Sequence, residues 1–148
     1  MPLKRSEKQS DVKRIVLDTN VLISGLFFGE GAPRTIIRQC EKGLIELVLS
    51  RDIYDEYVRV IERLTTGYSE EELLELFRRI TRYSLIVEDV PTFSEPISRD
   101  LDDDKFFACA VHAGIHIIVS GDRDLLDIAD FKGVRVVTPR QFCDDYVV

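Results

Sequence analysis

Short apolar runs alternate with longer amphipathic stretches along this chain of 148 residues. Arg14–Leu17 is an apolar, β-branched run that reads as a buried strand. It stops at Asp18-Thr19-Asn20, residue types that favour caps and turns. Val21–Phe28 predicts a helix broken by Gly29-Glu30-Gly31, and Pro33 suits the first turn of a second helix that runs from Arg34 to Lys42. Gly43 ends it, and Ile45–Leu49 reads as the next strand, with Ser50 as a helix N-cap. Tyr54, Tyr57, Val58, Ile61 and Leu64 recur at three-to-four spacing, so Arg51–Leu64 predicts an amphipathic helix whose tyrosines pack in the core.

Ser69 followed by Glu72 fits a capping box, and Leu73, Leu76, Phe77 and Ile80 form the apolar stripe of the helix it opens. Leu85–Val90 predicts a strand, Pro91–Ser98 a loop, and Asp102–Ala113 a helix with Phe106, Phe107, Ala110 and Val111 turned inward. His116–Ser120 is the next strand, Asp124–Ile128 a short helix, Val134–Val137 the last strand, and Pro139 opens a closing helix. Strands alternating with helices predict an α/β domain of three layers, α/β/α, with a mostly parallel sheet. No repeat or linker divides the chain, which predicts a flexible basic arm over residues 1–13 and one domain over residues 14–148.

Charge narrows the functional classes. The chain carries a formal −7, and residues 1–14 hold five basic and two acidic side chains, leaving the remainder at −10. Proteins that coat nucleic acid are usually basic, so that class is disfavoured. An enzyme whose carboxylates are neutralised by a divalent ion is not. Cys40, Cys109 and Cys143 are odd in number and far apart, which suits small core residues in a reducing compartment rather than a disulfide or zinc framework. No apolar run approaches the ~20 residues of a membrane span, and the N-terminus lacks a signal-peptide core; the expected location is the cytoplasm.

In an open parallel sheet, ligands bind beyond the carboxyl ends of the strands. Asp18 follows the first strand directly, Ser50 the second with Glu56 soon after, and Gly121-Asp122-Arg123-Asp124 follows the strand that ends at Ser120. Asp102-Asp103-Asp104 opens the helix before that strand. Any one of these acids alone reads as a cap or a solvated charge, because acids favour the macrodipole at helix N-termini. Jointly, four separate segments deliver carboxylates to one rim. Convergence of Asp18, Glu56, Asp103 and Asp122 would raise some of their pKa values unless a cation were present, and all-oxygen ligation suits Mg²⁺ or Mn²⁺ over zinc.

Val16-Leu17-Asp18-Thr19-Asn20-Val21-Leu22, then Ser50 with Glu56, then Asp100-Leu101-Asp102-Asp103-Asp104-Lys105-Phe106, then Val119-Ser120-Gly121-Asp122-Arg123-Asp124-Leu125-Leu126 resemble the PIN-domain family over about residues 14–142. The likeness is to its toxin-like, VapC-type prokaryotic branch. The resemblance implies a Rossmann-like, five-stranded sheet of order 3-2-1-4-5 and a metal-dependent ribonuclease. It implies that Asp18, Glu56, Asp103 and Asp122 are the catalytic, metal-holding acids. Asn20 would orient Asp18 or a water, Ser50 would line the site, and Asp104 and Asp124 would lie around it. Ser120 stands where the family often has Thr, which keeps the hydroxyl.

The expected chemistry is hydrolysis of RNA phosphodiesters by water activated on Mg²⁺, with Mn²⁺ as a substitute and one ion or two. Arg34 and Arg38, four apart on one helix face, and Arg123 beside Asp122 are the candidate RNA contacts, helped by Lys4, Arg5, Lys13 and Arg14. A toxin role implies an antitoxin that blocks the acidic cleft, and the Leu73–Ile80 stripe is a candidate homodimer surface. The alternatives are an orphan nuclease in RNA processing and an inactive PIN-like binding protein. A phosphatase of the haloacid-dehalogenase type wants D-x-D, and position 20 is Asn. A receiver domain would need an acidic pair near its start and a later strand-end Lys, neither of which is evident.

Overall fold

The computed structural model describes residues 12–93, 95–97, 101–128 and 130–147. The first eleven residues of the expected arm, Lys4 and Arg5 among them, lie outside that range, as do Asp100 and Ser98. Strand β1 (Lys13–Leu17) starts one residue earlier than the apolar run predicts. Lys13 pairs with Ile45 in the neighbouring strand, so it belongs to the sheet and not to an arm. Arg14 is likewise held, with Nε 2.8 Å from Glu46 Oε1.

Two short helices follow, α1 (Thr19–Phe27) and α2 (Ala32–Glu41). Their close approach depends on Gly25, where a Cβ would stand 2.5 Å from Ile37 Cγ1 and 2.6 Å from the Pro33 carbonyl oxygen. Strand β2 (Ile45–Ser50) leads into α3 (Arg51–Leu64), and Ser50 caps it by accepting from the Ile53 N–H at 3.2 Å. The predicted capping box opens α4 (Glu70–Arg82), through reciprocal Ser69 and Glu72 bonds. Leu76 and Ile80 are buried and Leu73 and Phe77 pack against the core, so the stripe faces its own chain and Leu74 is the exposed apolar residue.

Strand β3 (Ser84–Val87) is shorter than the predicted run to Val90, and the chain leaves it through Asp89, whose φ of 54° is incompatible with extended backbone. A single 3₁₀ turn over Leu101–Asp103 leads into α5 (Asp104–Ala113), then β4 (Ile117–Val119) and α6 (Arg123–Leu126). The chain closes with β5 (Asp130–Phe131), β6 (Val134–Val137) and α7 (Pro139–Tyr146).

The sheet order is β3-β2-β1-β4-β6-β5. Its five parallel strands follow the expected 3-2-1-4-5 sequence. The count of five needs correction to six, because β5 adds an antiparallel edge strand of two residues. Lys132 and Gly133 form its hairpin turn, with φ of 50° and 81°, the paired left-handed values whose twist matches that of adjoining strands. Strand order reverses between β1 and β4. Right-handed crossovers then put α1–α4 on one face and α5 and α6 on the other; α5 packs across β1, β2, β4 and β6. Buried Ile15, Val16, Leu17, Leu47, Val48, Leu49, Ile118 and Val119 make the sheet apolar on both faces. Cys40 and Cys109 are buried small residues in this core. Among the described residues, no helix is long and apolar enough to cross a membrane.

Candidate functional site

Register brings the first two groups together. Leu17 lies opposite Val119 across the β1–β4 pair, so the next residues, Asp18 and Ser120, emerge side by side at the carboxyl edge. The Asp18 N–H donates to the Val119 carbonyl at 3.0 Å, and the Ser120 hydroxyl donates to Asp18 Oδ2 at 2.7 Å. Ser120 Oγ also accepts from the Asp122 N–H at 2.9 Å. Asp122 Oδ1 in turn accepts from the Asp124 N–H at 2.9 Å and caps α6. One serine therefore links Asp18 to the main chain of Asp122, 104 positions later.

Asp18 is only 5 % exposed. Burial raises its pKa above the ordinary carboxyl value of 3.8, and the negative charges of Asp122 and Glu56 push the same way. The Ser120 hydrogen bond and the main-chain N–H of Asn20 oppose the rise without cancelling it. This electrostatic coupling puts Asp18, Asp122 and Glu56 in one neighbourhood. The Asn20 side chain itself is exposed.

Glu56 arrives from the second turn of α3. Its two oxygens have separate partners: Thr19 Oγ1 donates to Oε2, and Lys105 Nζ lies 2.5 Å from Oε1. Tyr57, the next residue, is fully buried, and its hydroxyl donates to the Leu17 carbonyl. Burial holds that hydroxyl well above the usual phenol range, with the charges of Asp18 and Glu56 among the further causes, so it stays a donor.

The acidic triplet divides. Asp102 is exposed, while Asp103 and Asp104 are half-buried at the start of α5. Asp104 Oδ2 accepts from the Ile97 N–H at 3.0 Å, which ties the preceding loop to the helix. Asp103 stands two residues before Lys105, the residue that meets Glu56. Ser50, Lys105, Arg59, Phe93 and Asp55 border a cavity of about 460 Å³ beside this edge.

The arginines are distributed differently from the expected phosphate grip. Arg34 Nη1 donates to the carbonyls of Gly25 and Leu26, at 3.0 and 3.3 Å, and so caps the end of α1. Arg38 lies exposed with Nη2 3.4 Å from Glu30 Oε1. Each guanidinium has its own protein partner, so the two do not point at a shared one. Arg123 is exposed at the first position of α6.

Three residues outside the expected set also belong to the site: Lys105 and Thr19 hold Glu56, and Tyr57 ties α3 to β1. Lys105 carried a usable signal. It is the second residue of α5, where the helix dipole disfavours a cation, so a lysine there calls for an acidic partner. Thr19 and Tyr57 carried none, since a buried hydroxyl's partner is set by packing.

An oxygen-only donor set around a buried, pKa-raised carboxyl suits a hard divalent cation. Among the described residues, no three His, Cys, Asp or Glu side chains already stand as a ready-made metal cage. Lys105 and Thr19 hold Glu56, Ser120 holds Asp18, and capping engages Asp122.

An open α/β sheet with carboxylates at its strand-order reversal defines a class of proteins that act on ligands at that edge. The chain belongs to the PIN-domain family, whose model matches residues 14–124. PIN domains are generally nucleases and typically use divalent metals. The chain is also similar to a protein of Methanocaldococcus jannaschii named "Uncharacterized protein MJ1680". The two are 28 % identical over 152 aligned positions, covering 95 % of this chain and 96 % of that one.

Proposed function

We propose that this protein is a metal-dependent endoribonuclease that hydrolyses RNA phosphodiester bonds at the β1–β4 edge. The observation that carries the reading is the Asp18 carboxyl, buried at the strand-order reversal and linked through Ser120 to the main chain of Asp122; burial and the charges of Asp122 and Glu56 raise its pKa. A carboxyl in that field is relieved by a cation. Asp18, Glu56, Asp103 and Asp122 are the residues that would hold Mg²⁺, or Mn²⁺ in its place. Bound there, the ion would neutralise the scissile phosphate and acidify the attacking water. Ser120 fixes the orientation of Asp18, Asn20 contributes its main-chain N–H, and Asp124 supports Asp122. Ser50 and Asp104 border the cavity beside the site, where a neighbouring nucleotide has room.

The test is cleavage of mixed RNA by wild type and by Asp18→Asn, with Mg²⁺, with Mn²⁺ and with EDTA. Cleavage by folded wild type alone, lost in EDTA, is the expected result. Equal activity of a folded Asp18→Asn variant would overturn the assignment.

Within this reading the protein is the toxin of a type II toxin–antitoxin pair acting on cytoplasmic RNA. The resemblance of the Asp18, Asp103 and Asp122 segments to toxin-like PIN proteins supports it. Its partners are RNA, an antitoxin encoded nearby and a second copy of the chain. Arg38 and Arg123, exposed at helix surfaces, are the proposed phosphate contacts. Induced expression should arrest growth, and co-expression of the adjacent gene should relieve it. Growth unaffected by an active nuclease would favour a role in RNA processing. Solution mass tests the dimer.

A further inference from the structure

We propose that Lys105 is a resident counter-cation that latches Glu56 and competes with a divalent ion for it. This inference rests on the nuclease reading above, which supplies the competing ion. Its basis is the double engagement of Glu56: Lys105 Nζ is 2.5 Å from Oε1, and Thr19 Oγ1 donates to Oε2. The Lys105 and Glu56 side chains are 14 % and 20 % exposed, so solvent screens the pair far less than a surface ion pair.

The placement of Lys105 supports a functional pairing. It sits in the first turn of α5, where the macrodipole opposes positive charge, and Glu56 comes from a different helix. Lys105 borders the cavity of about 460 Å³, which gives its side chain room to move off Glu56. A divalent ion entering beside Asp18 carries twice the charge of the ammonium. It would draw Glu56 from Lys105 and add it to the carboxylates of Asp18 and Asp122. Lys105 is thus a positioning residue that sets how much cation the site requires.

Calorimetric titration with Mn²⁺ at fixed ionic strength tests this on the full chain, in wild type, Lys105→Met, Glu56→Gln and the double variant. Circular dichroism in EDTA establishes that each is folded, and Lys105→Gln replaces Lys105→Met if the latter is not. Lys105→Met should bind Mn²⁺ about tenfold more tightly than wild type. Glu56→Gln should cost several-fold more affinity in the Lys105→Met background than in wild type, because in wild type binding must first break the Lys105–Glu56 pair. Simple repulsion between Lys105 and the ion would give additive effects, so additivity overturns the latch while leaving the metal site standing. Unchanged or weaker binding by Lys105→Met also overturns it. Failure of folded wild type to bind Mn²⁺ overturns both the latch and the metal-dependent reading.

Discussion

The hydroxyl of Tyr57 donates to the main-chain carbonyl of Leu17, which fastens the residue after Glu56 to the residue before Asp18. Two carboxylates 38 positions apart are therefore held by one buried contact made by their chain neighbours. The contact joins α3 to the end of β1 at the level of the site. It carries structural weight because a buried carbonyl left without its donor costs about 1–3 kcal/mol.

Tyr57→Phe removes that donor and keeps the ring. It should destabilise the protein by about 1–2 kcal/mol. In a chain of this size that corresponds to a fall in Tm of roughly 2–8 °C. Urea and thermal unfolding check it, and an unchanged midpoint would show that the hydroxyl contributes nothing net.

Asp18 predicts an unusual pH dependence for the metal-free protein. Folding raises its pKa, so between the unfolded value near 3.8 and the raised native value the native state holds more protons. Stability from this group is thus present at low pH, is lost as pH rises through that window, and stays flat above it. Asp18→Asn should be more stable than wild type at neutral pH in EDTA, and the gap should narrow on acidification. Ser120→Ala removes a donor that lowers the Asp18 pKa, so it should extend the window upward. Melting curves across pH test both; a gap between Asn and Asp that ignores pH would contradict the assignment.

Arg34 and Arg38 separate a structural cation from a candidate RNA contact. Arg34→Ala leaves the Gly25 and Leu26 carbonyls without their guanidinium donor and should cost about 1–2 kcal/mol of stability. Arg38→Ala should be nearly neutral for stability, within about 0.5 kcal/mol, as expected for an exposed side chain. RNA binding measured against salt should show a shallower slope for Arg38→Ala alone. A salt slope altered by Arg34→Ala, with stability intact, would reverse the two roles.

Gly25→Ala tests the α1–α2 contact. The added methyl would stand 2.6 Å from the Pro33 carbonyl oxygen, which is backbone and cannot rotate away. Overpacking of this kind costs roughly 1–3 kcal/mol. Chemical denaturation should show a lower midpoint with little change in slope; a neutral result would mean that the two helices can slide apart freely.

The alternation of strands and helices was legible from the sequence, including Arg51–Leu64 and Val134–Val137 at their observed bounds. So was the placing of Asp18 and Asp122 just beyond the ends of β1 and β4, because a strand's last apolar residue and its polar stop are close neighbours in the chain. Local patterning decides which face of a segment is buried, and that is what these readings needed. It does not decide which distant group a buried polar atom meets. The β1–β4 register set Ser120 beside Asp18, the approach of α5 to α3 set Lys105 on Glu56, and the α1–α2 packing turned Arg34 inward as a cap. The two-residue strand β5 was illegible for a related reason. A segment that short has no periodicity of its own, and only its pairing with β6 gives it a structure.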